Sequence, residues 1–193
     1  APRVLAFADR ASLSPSDTQA EFLLTARLSL DSDPHRHRQQ LSTKGATNNQ
    51  EQGVDEADFV KTDGYNIYYL QGQKLHIFGV PEFGQLTDLS NTTVEGTPQA
   101  MMLDGDELVV ISTLSPWGLS RSNPVVEEMG WDGEYGNWRT SSLTKFTVYD
   151  VTNRSDPDVE RELYIEGSYI TAREVNGTVR TISHAWMDGQ GLQ

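Results

Sequence analysis

The segment GVDEADFVKTDG, residues 53–64, gathers Asp55, Glu56, Asp58 and Asp63 around one lysine, Lys61. Carboxylates at this density suit a cation, since Ca²⁺ takes roughly six to eight oxygen ligands. Their spacing, however, departs from a DxDxDG calcium loop, and the segment runs into a strand pattern whose side chains alternate sides. The favoured reading is structural, with Asp63 shaping a turn and Asp55 accepting backbone N–H groups. A Ca²⁺ near Asp55, Glu56 and Asp58 is the alternative; apart from it, no cofactor or metal is expected.

A second concentration lies in LSPWGLSRSNPVVEEMGWDGEYGNWRTSS, residues 114–142. Trp117, Trp131, Tyr135 and Trp138 stand there among loop-shaping glycines and a proline. Aromatics on such a loop stack on sugar rings or anchor a protein partner. These four are the candidate ligand-binding residues, against the competing reading that they form the loop's own small core. Glu127, Glu128, Asp132 and Glu134 share the stretch, and glycoside hydrolysis uses two carboxyls about 5–9.5 Å apart. In a chain with 28 acidic residues, such neighbours carry little weight, and no catalytic residue is assigned. His35 and His37 would point the same way on an extended chain, but nothing supplies a third metal ligand. His76 and His184 fall within strand patterns as packed or edge residues. The sequons at Asn91, Asn153 and Asn176 have meaning only in a eukaryotic secretory pathway.

Composition narrows the functions further. The chain has 193 residues, 15 Lys and Arg, 28 Asp and Glu, and a formal net charge of -13. Such a surface repels phosphate backbones, so no nucleic-acid partner is expected. The absence of cysteine removes disulfides, thiolate zinc sites and cysteine nucleophiles. No apolar run approaches the ~20 residues of a membrane span, and the apolar stretch in APRVLAFADR is too short for a signal peptide. There is no G-x-S-x-G elbow, no Walker loop and no G-x-G-x-x-G after a strand.

The elements that must position these residues read as follows. Residues 1–56 form a polar lead-in with one short helix, capped by Ser14 with Pro15 in its first turn and carrying Phe22, Leu23, Ala26 and Leu30 on one face. From residue 57 onward the pattern is all-β. Three hairpins align: DFVKTDGYNIYYL (58–70), AMMLDGDELVVI (100–111) and ITAREVNGTVRTI (170–182), with turns at Asp63-Gly64, Asp104-Gly105 and Asn176-Gly177. Two further strand patterns follow each of the first two hairpins, and both units close on Glu-Gly, at Glu95-Gly96 and Glu166-Gly167. Four strands in about 40–45 residues describe a β-propeller blade, once residues 114–142 are treated as an insertion. The expected fold class is therefore all-β, a partial β-propeller of four-stranded antiparallel blades with that short N-terminal helix. Residues 57–193 would hold two complete blades and a third begun, so the remaining blades of the same polypeptide are expected partners.

TNNQEQGVDEADFVKTDGYNIYYL, VYDVTNRSDPDVERELYIEG and EGSYITAREVNG also resemble secreted bacterial and archaeal proteins with a C-terminal β-propeller domain, distantly similar to WD40 propellers. The resemblance covers roughly residues 40–184 and departs at Phe59, where the family prefers a smaller aliphatic. It implies an extracytoplasmic location and no transferable catalytic residue. The function expected is a binding or scaffold module with a protein or carbohydrate ligand, and the alternative is an extracytoplasmic hydrolase or lyase using carboxylates on the loop face.

Overall fold

The computed structural model describes residues 3–6, 20–29, 54–82, 84–123, 125–126, 142–175 and 178–187. Its strands are β1 (Arg3–Ala6), β2 (Ala20–Ser29), β3 (Val54–Glu56), β4 (Val60–Thr62), β5 (Asn66–Gln71), β6 (Lys74–Gly79), β7 (Thr87–Thr93), β8 (Thr97–Asp104), β9 (Glu107–Leu114), β10 (Leu143–Asp150), β11 (Asp158–Glu166), β12 (Ser168–Val175) and β13 (Thr178–Met187). They form three sheets. The first blade is β4-β5-β6-β7, a contiguous antiparallel meander. The second is β8-β9-β10-β11, extended at its outer edge by β1 running parallel to β11. In the third, β12 and β13 are flanked by β3 and β2, in the order β2-β13-β12-β3.

The repeat expected from the sequence is present. Gly64 sits at φ 92 in the first hairpin turn, and Gly105 at φ 60 in the second. In both, the turn lies one residue beyond the expected Asx-Gly pair: the Asp63 N–H donates to the Asn66 carbonyl around Gly64-Tyr65, and Asp104 pairs with Glu107 around Gly105-Asp106. In the third hairpin Glu174 pairs with Val179, while Asn176-Gly177 lies outside the described residues. Both Glu-Gly closures place glycine in the left-handed region, Gly96 at φ 83 and Gly167 at φ 102. Only glycine enters that region without a steric cost, which explains why the two closures share it.

One expectation is overturned. Residues 20–29, read as helix, form β2 and pair antiparallel with β13 from Ala20↔Met187 to Ser29↔Thr178; Ser14 and Pro15 lie outside the described residues. The sequence there also fits a period of two, with Phe22, Leu24, Ala26 and Leu28 at alternate positions. A short apolar run satisfies both periods, and the open edge of β13 decides between them by satisfying the backbone groups of β2.

The core lies between blades. Leu108 and Val110 of β9 pack with Tyr68, Leu70, Leu75 and Ile77 of the first blade, while Val109 and Ile111 pack with Ala172 and Val179 of the third. A strand covered on both faces reads as an unbroken apolar run rather than an alternation, hence LVVI. Each such side chain contributes roughly 1.5–3 kcal/mol on burial.

Candidate functional site

Residues 114–142 join the second and third strands of the second blade, at the end where the Glu-Gly closures lie. Gly167 N–H donates to the Ser142 carbonyl at 2.8 Å and Thr144 Oγ1 to the Gly167 carbonyl at 2.9 Å, tying insertion and closure together. The stretch opens with a 3₁₀ turn, Pro116–Gly118, where proline pre-sets the first dihedral and has no N–H to leave unpaired. Beyond it Leu119, Val125 and Val126 are buried against Leu114, Leu143 and Tyr164. The base of the insertion is thus fixed on the blade. Trp117, held on that turn, remains 52% exposed. Trp131, Tyr135 and Trp138, and Glu127, Glu128, Asp132 and Glu134, lie outside the described residues.

Beneath this base sits a buried cation that the sequence reading missed. Lys145 Nζ on β10 is 2.6 Å from Glu95 Oε2 and 2.6 Å from Glu162 Oε1, and 5.3 Å from the centre of the Tyr164 ring. Tyr164 in turn donates its hydroxyl to Glu95 Oε2 at 3.1 Å. Burial alone would lower Lys145, but its hydrogen bonds to Glu162 and Glu95 outweigh that and hold it above the ordinary lysine range. Glu95 therefore acts as the polar tie from the first closure into the second blade.

The acidic lead-in crosses all three blades. β3 pairs with β12, with Glu56 opposite Arg173 and Asp55 opposite Glu174, and Asp58 bridges Met101 of β8 before the chain turns into β4. Asp55 Oδ1 receives Lys61 Nζ at 2.7 Å, and its Oδ2 accepts the Leu103 N–H at 3.0 Å. Lys61 also donates to the Glu56 carbonyl. The Glu56 carboxylate is 3.2 Å from Arg173, and Asp58 accepts the Phe59 N–H. The three carboxylates considered for a cation thus turn to three different partners. Phe59 is 49% exposed, so the larger residue meets no packing limit there.

Asp63 works at the opposite end of the blades. Its carboxylate accepts the Tyr65 and Asn66 backbone N–H groups, the Asn66 amide and the Tyr68 hydroxyl. Burial pushes it up, but these hydrogen bonds prevail and hold it below its ordinary value. Arg154, from the loop between β10 and β11, completes the cluster: NH2 lies 3.2 Å from Asp63, NH1 2.6 Å from Asp106, and Nε donates to the Tyr68 hydroxyl at 3.1 Å. One guanidinium therefore joins two blades. No local spacing in the sequence reveals it, because Asp63 and Tyr68 precede it by 91 and 86 residues.

The histidines serve packing or lie elsewhere. His76 stacks on Phe78 at 6.0 Å within β6, His184 lies in β13, and His35 and His37 are outside the described residues. Asn91 and Asn153 are exposed, on β7 and in the β10–β11 loop. Among the described residues no group of three His, Cys, Asp or Glu is placed to hold a metal ion, and no helix is long and apolar enough to cross a membrane.

Three face-packed antiparallel sheets joined by equivalent closures are the geometry of propeller blades, and the family comparison agrees. The sequence matches the family described as the beta propeller domain over residues 44–191. The chain belongs to that family. Comparison with curated proteins and with solved structures gave no match. The beta propeller match begins before β3, so the acidic lead-in falls within the domain.

Proposed function

We propose that this beta propeller domain is a binding or scaffold module of an exported protein, engaging a protein or carbohydrate ligand on the face that carries residues 114–142. The observation that carries the reading is Trp117: its turn is anchored through Leu119, Val125 and Val126, yet the indole itself is 52% exposed. An aromatic on a fixed support loses little conformational freedom on binding, which makes it an efficient anchor. Residue types on the unplaced part of the insertion, Trp131, Tyr135 and Trp138, extend the same chemistry. The extracytoplasmic location rests on the resemblance of the TNNQEQGVDEAD and VKTDG segments to secreted propeller proteins.

The test screens the protein against an oligosaccharide array and a displayed peptide library, comparing the natural sequence with a Trp117→Ala, Trp131→Ala, Trp138→Ala triple variant. Ligands that bind the natural protein and are lost by at least tenfold in the variant, at unchanged melting temperature, support the reading. Loss of folding in the triple variant makes these aromatics a packing core instead, and ligands retained by a folded variant place binding elsewhere.

A further inference from the structure

The lead-in brings a lysine amine and a carboxyl together out of reach of water, with a second buried carboxyl on the strand beside them. Lys61 Nζ lies 2.7 Å from Asp55 Oδ1, and the two residues are 2% and 8% exposed. Glu174, 7% exposed, stands directly opposite Asp55 in the β3–β12 register. Cross-strand partners project from the same side of a sheet about 4.5–5.5 Å apart at Cβ. That side is the one that Ala172 and Val179 pack against the second blade. The Leu103 N–H, from the second blade, points at the other Asp55 oxygen at 3.0 Å.

We propose that Lys61 and Asp55 condense into an intramolecular isopeptide bond, with Glu174 moving the proton. A first proton passes from the Lys61 ammonium to Asp55 Oδ1 along their hydrogen bond, which frees a lone pair on Nζ and leaves a neutral carboxyl. Nζ then attacks Asp55 Cγ as Glu174 takes a second proton from the amine. The Nζ–Cγ bond forms, and the negative charge that develops on Oδ2 faces the Leu103 N–H, the arrangement that stabilises an acyl-transfer intermediate. Glu174 then returns its proton to Oδ1, the Cγ–Oδ1 bond breaks and water departs. Of the three ammonium protons one stays on the amide nitrogen and two leave in the water, so the reaction needs no oxidant, reductant or activating group. Fixed apposition of the reacting groups corresponds to effective concentrations of roughly 10⁵–10⁸ M. Burial also denies the product the water that would hydrolyse it. The bond would fasten β3, carried by the third blade, to β4 of the first.

Intact-mass spectrometry of the purified protein tests this. The expected mass is below the sequence mass by one water, with no tryptic cleavage after Lys61 and with fragment spectra of a branched peptide joining residues 55 and 61. Lys61→Arg keeps the positive charge and should show the full sequence mass. Glu174→Gln keeps the size of the side chain and should slow bond formation at least tenfold in freshly folded protein. A natural protein at full sequence mass overturns the proposal. So does a water loss that maps to a succinimide at Asp63-Gly64 or Asp104-Gly105 instead of to Lys61. An undiminished rate in Glu174→Gln overturns the role given to that residue.

Discussion

Gly96 shows how little room a single position leaves. At φ 83, a Cβ there would lie 2.6 Å from the Thr113 carbonyl oxygen and 2.8 Å from Leu114 Cγ. Gly72 shares the left-handed conformation, at φ 58, but faces open space. Gly72→Ala should therefore cost only the backbone term, about 1–2 kcal/mol. Gly96→Ala adds a collision with backbone and should cost about 3 kcal/mol or more, lowering the melting temperature by about 6–12 °C for a chain of this size. Equal losses in a thermal melt would show that the contact at Gly96 relaxes freely. At Asp63 the variable is pH. Its folded-state value lies below the ordinary 3.8, so the stability it contributes is present above that value and lost as pH falls through the lower folded value. Urea midpoints measured from about pH 5 to pH 2 should decline, and Asp63→Asn should flatten the acid limb of that curve.

Among the elements, β10 and β11 share a buried ion pair between Lys145 and Glu162. Removing Lys145 takes away the ammonium 2.6 Å from Glu162 Oε1, a carboxylate whose side chain is 11% exposed. Breaking a buried pair from one side typically costs about 3–5 kcal/mol. Lys145→Met should fall within that range by chemical denaturation, whereas Lys74→Met, at an exposed position on β6, should change stability by less than about 0.5 kcal/mol. The hairpins and closures around these strands were legible in the sequence because their signals are local: Asp63-Gly64, Gly105, Gly96 and Gly167 each need a backbone conformation that their own residue type permits. The identity of β2 was not legible, since its apolar residues fit two periods and the deciding partner, β13, lies far along the chain. Arg154 and Lys145 were opaque for the same reason. Each looks like an ordinary surface cation until its blade is stacked against acids from another. Of the candidate binding face, Trp117 and the insertion could be read from composition, but not the anchoring of its base through Tyr164.

At the scale of the whole molecule the net charge of -13 matters more than any pair. Like charges spread over stacked blades repel, and raising salt from about 0.01 M to about 1 M shortens their range from roughly 30 Å to 3 Å. The melting temperature should rise with sodium chloride over that interval; a fall would mean that the ion pairs at Arg154 and Lys145 outweigh the general repulsion. The pairing of β1 with β11 also has a kinetic side. Arg3 meets Glu162 and Ala6 meets Ile165, contacts between residues far apart in the sequence, while the first blade is assembled entirely from residues 60–93. Contacts at such sequence separation carry a large closure entropy before they yield any stabilisation. The first blade can therefore form while the rest is still being synthesised. The outer edge of β11 stays open until β1 docks on it, and an open strand edge is where wrong partners attach.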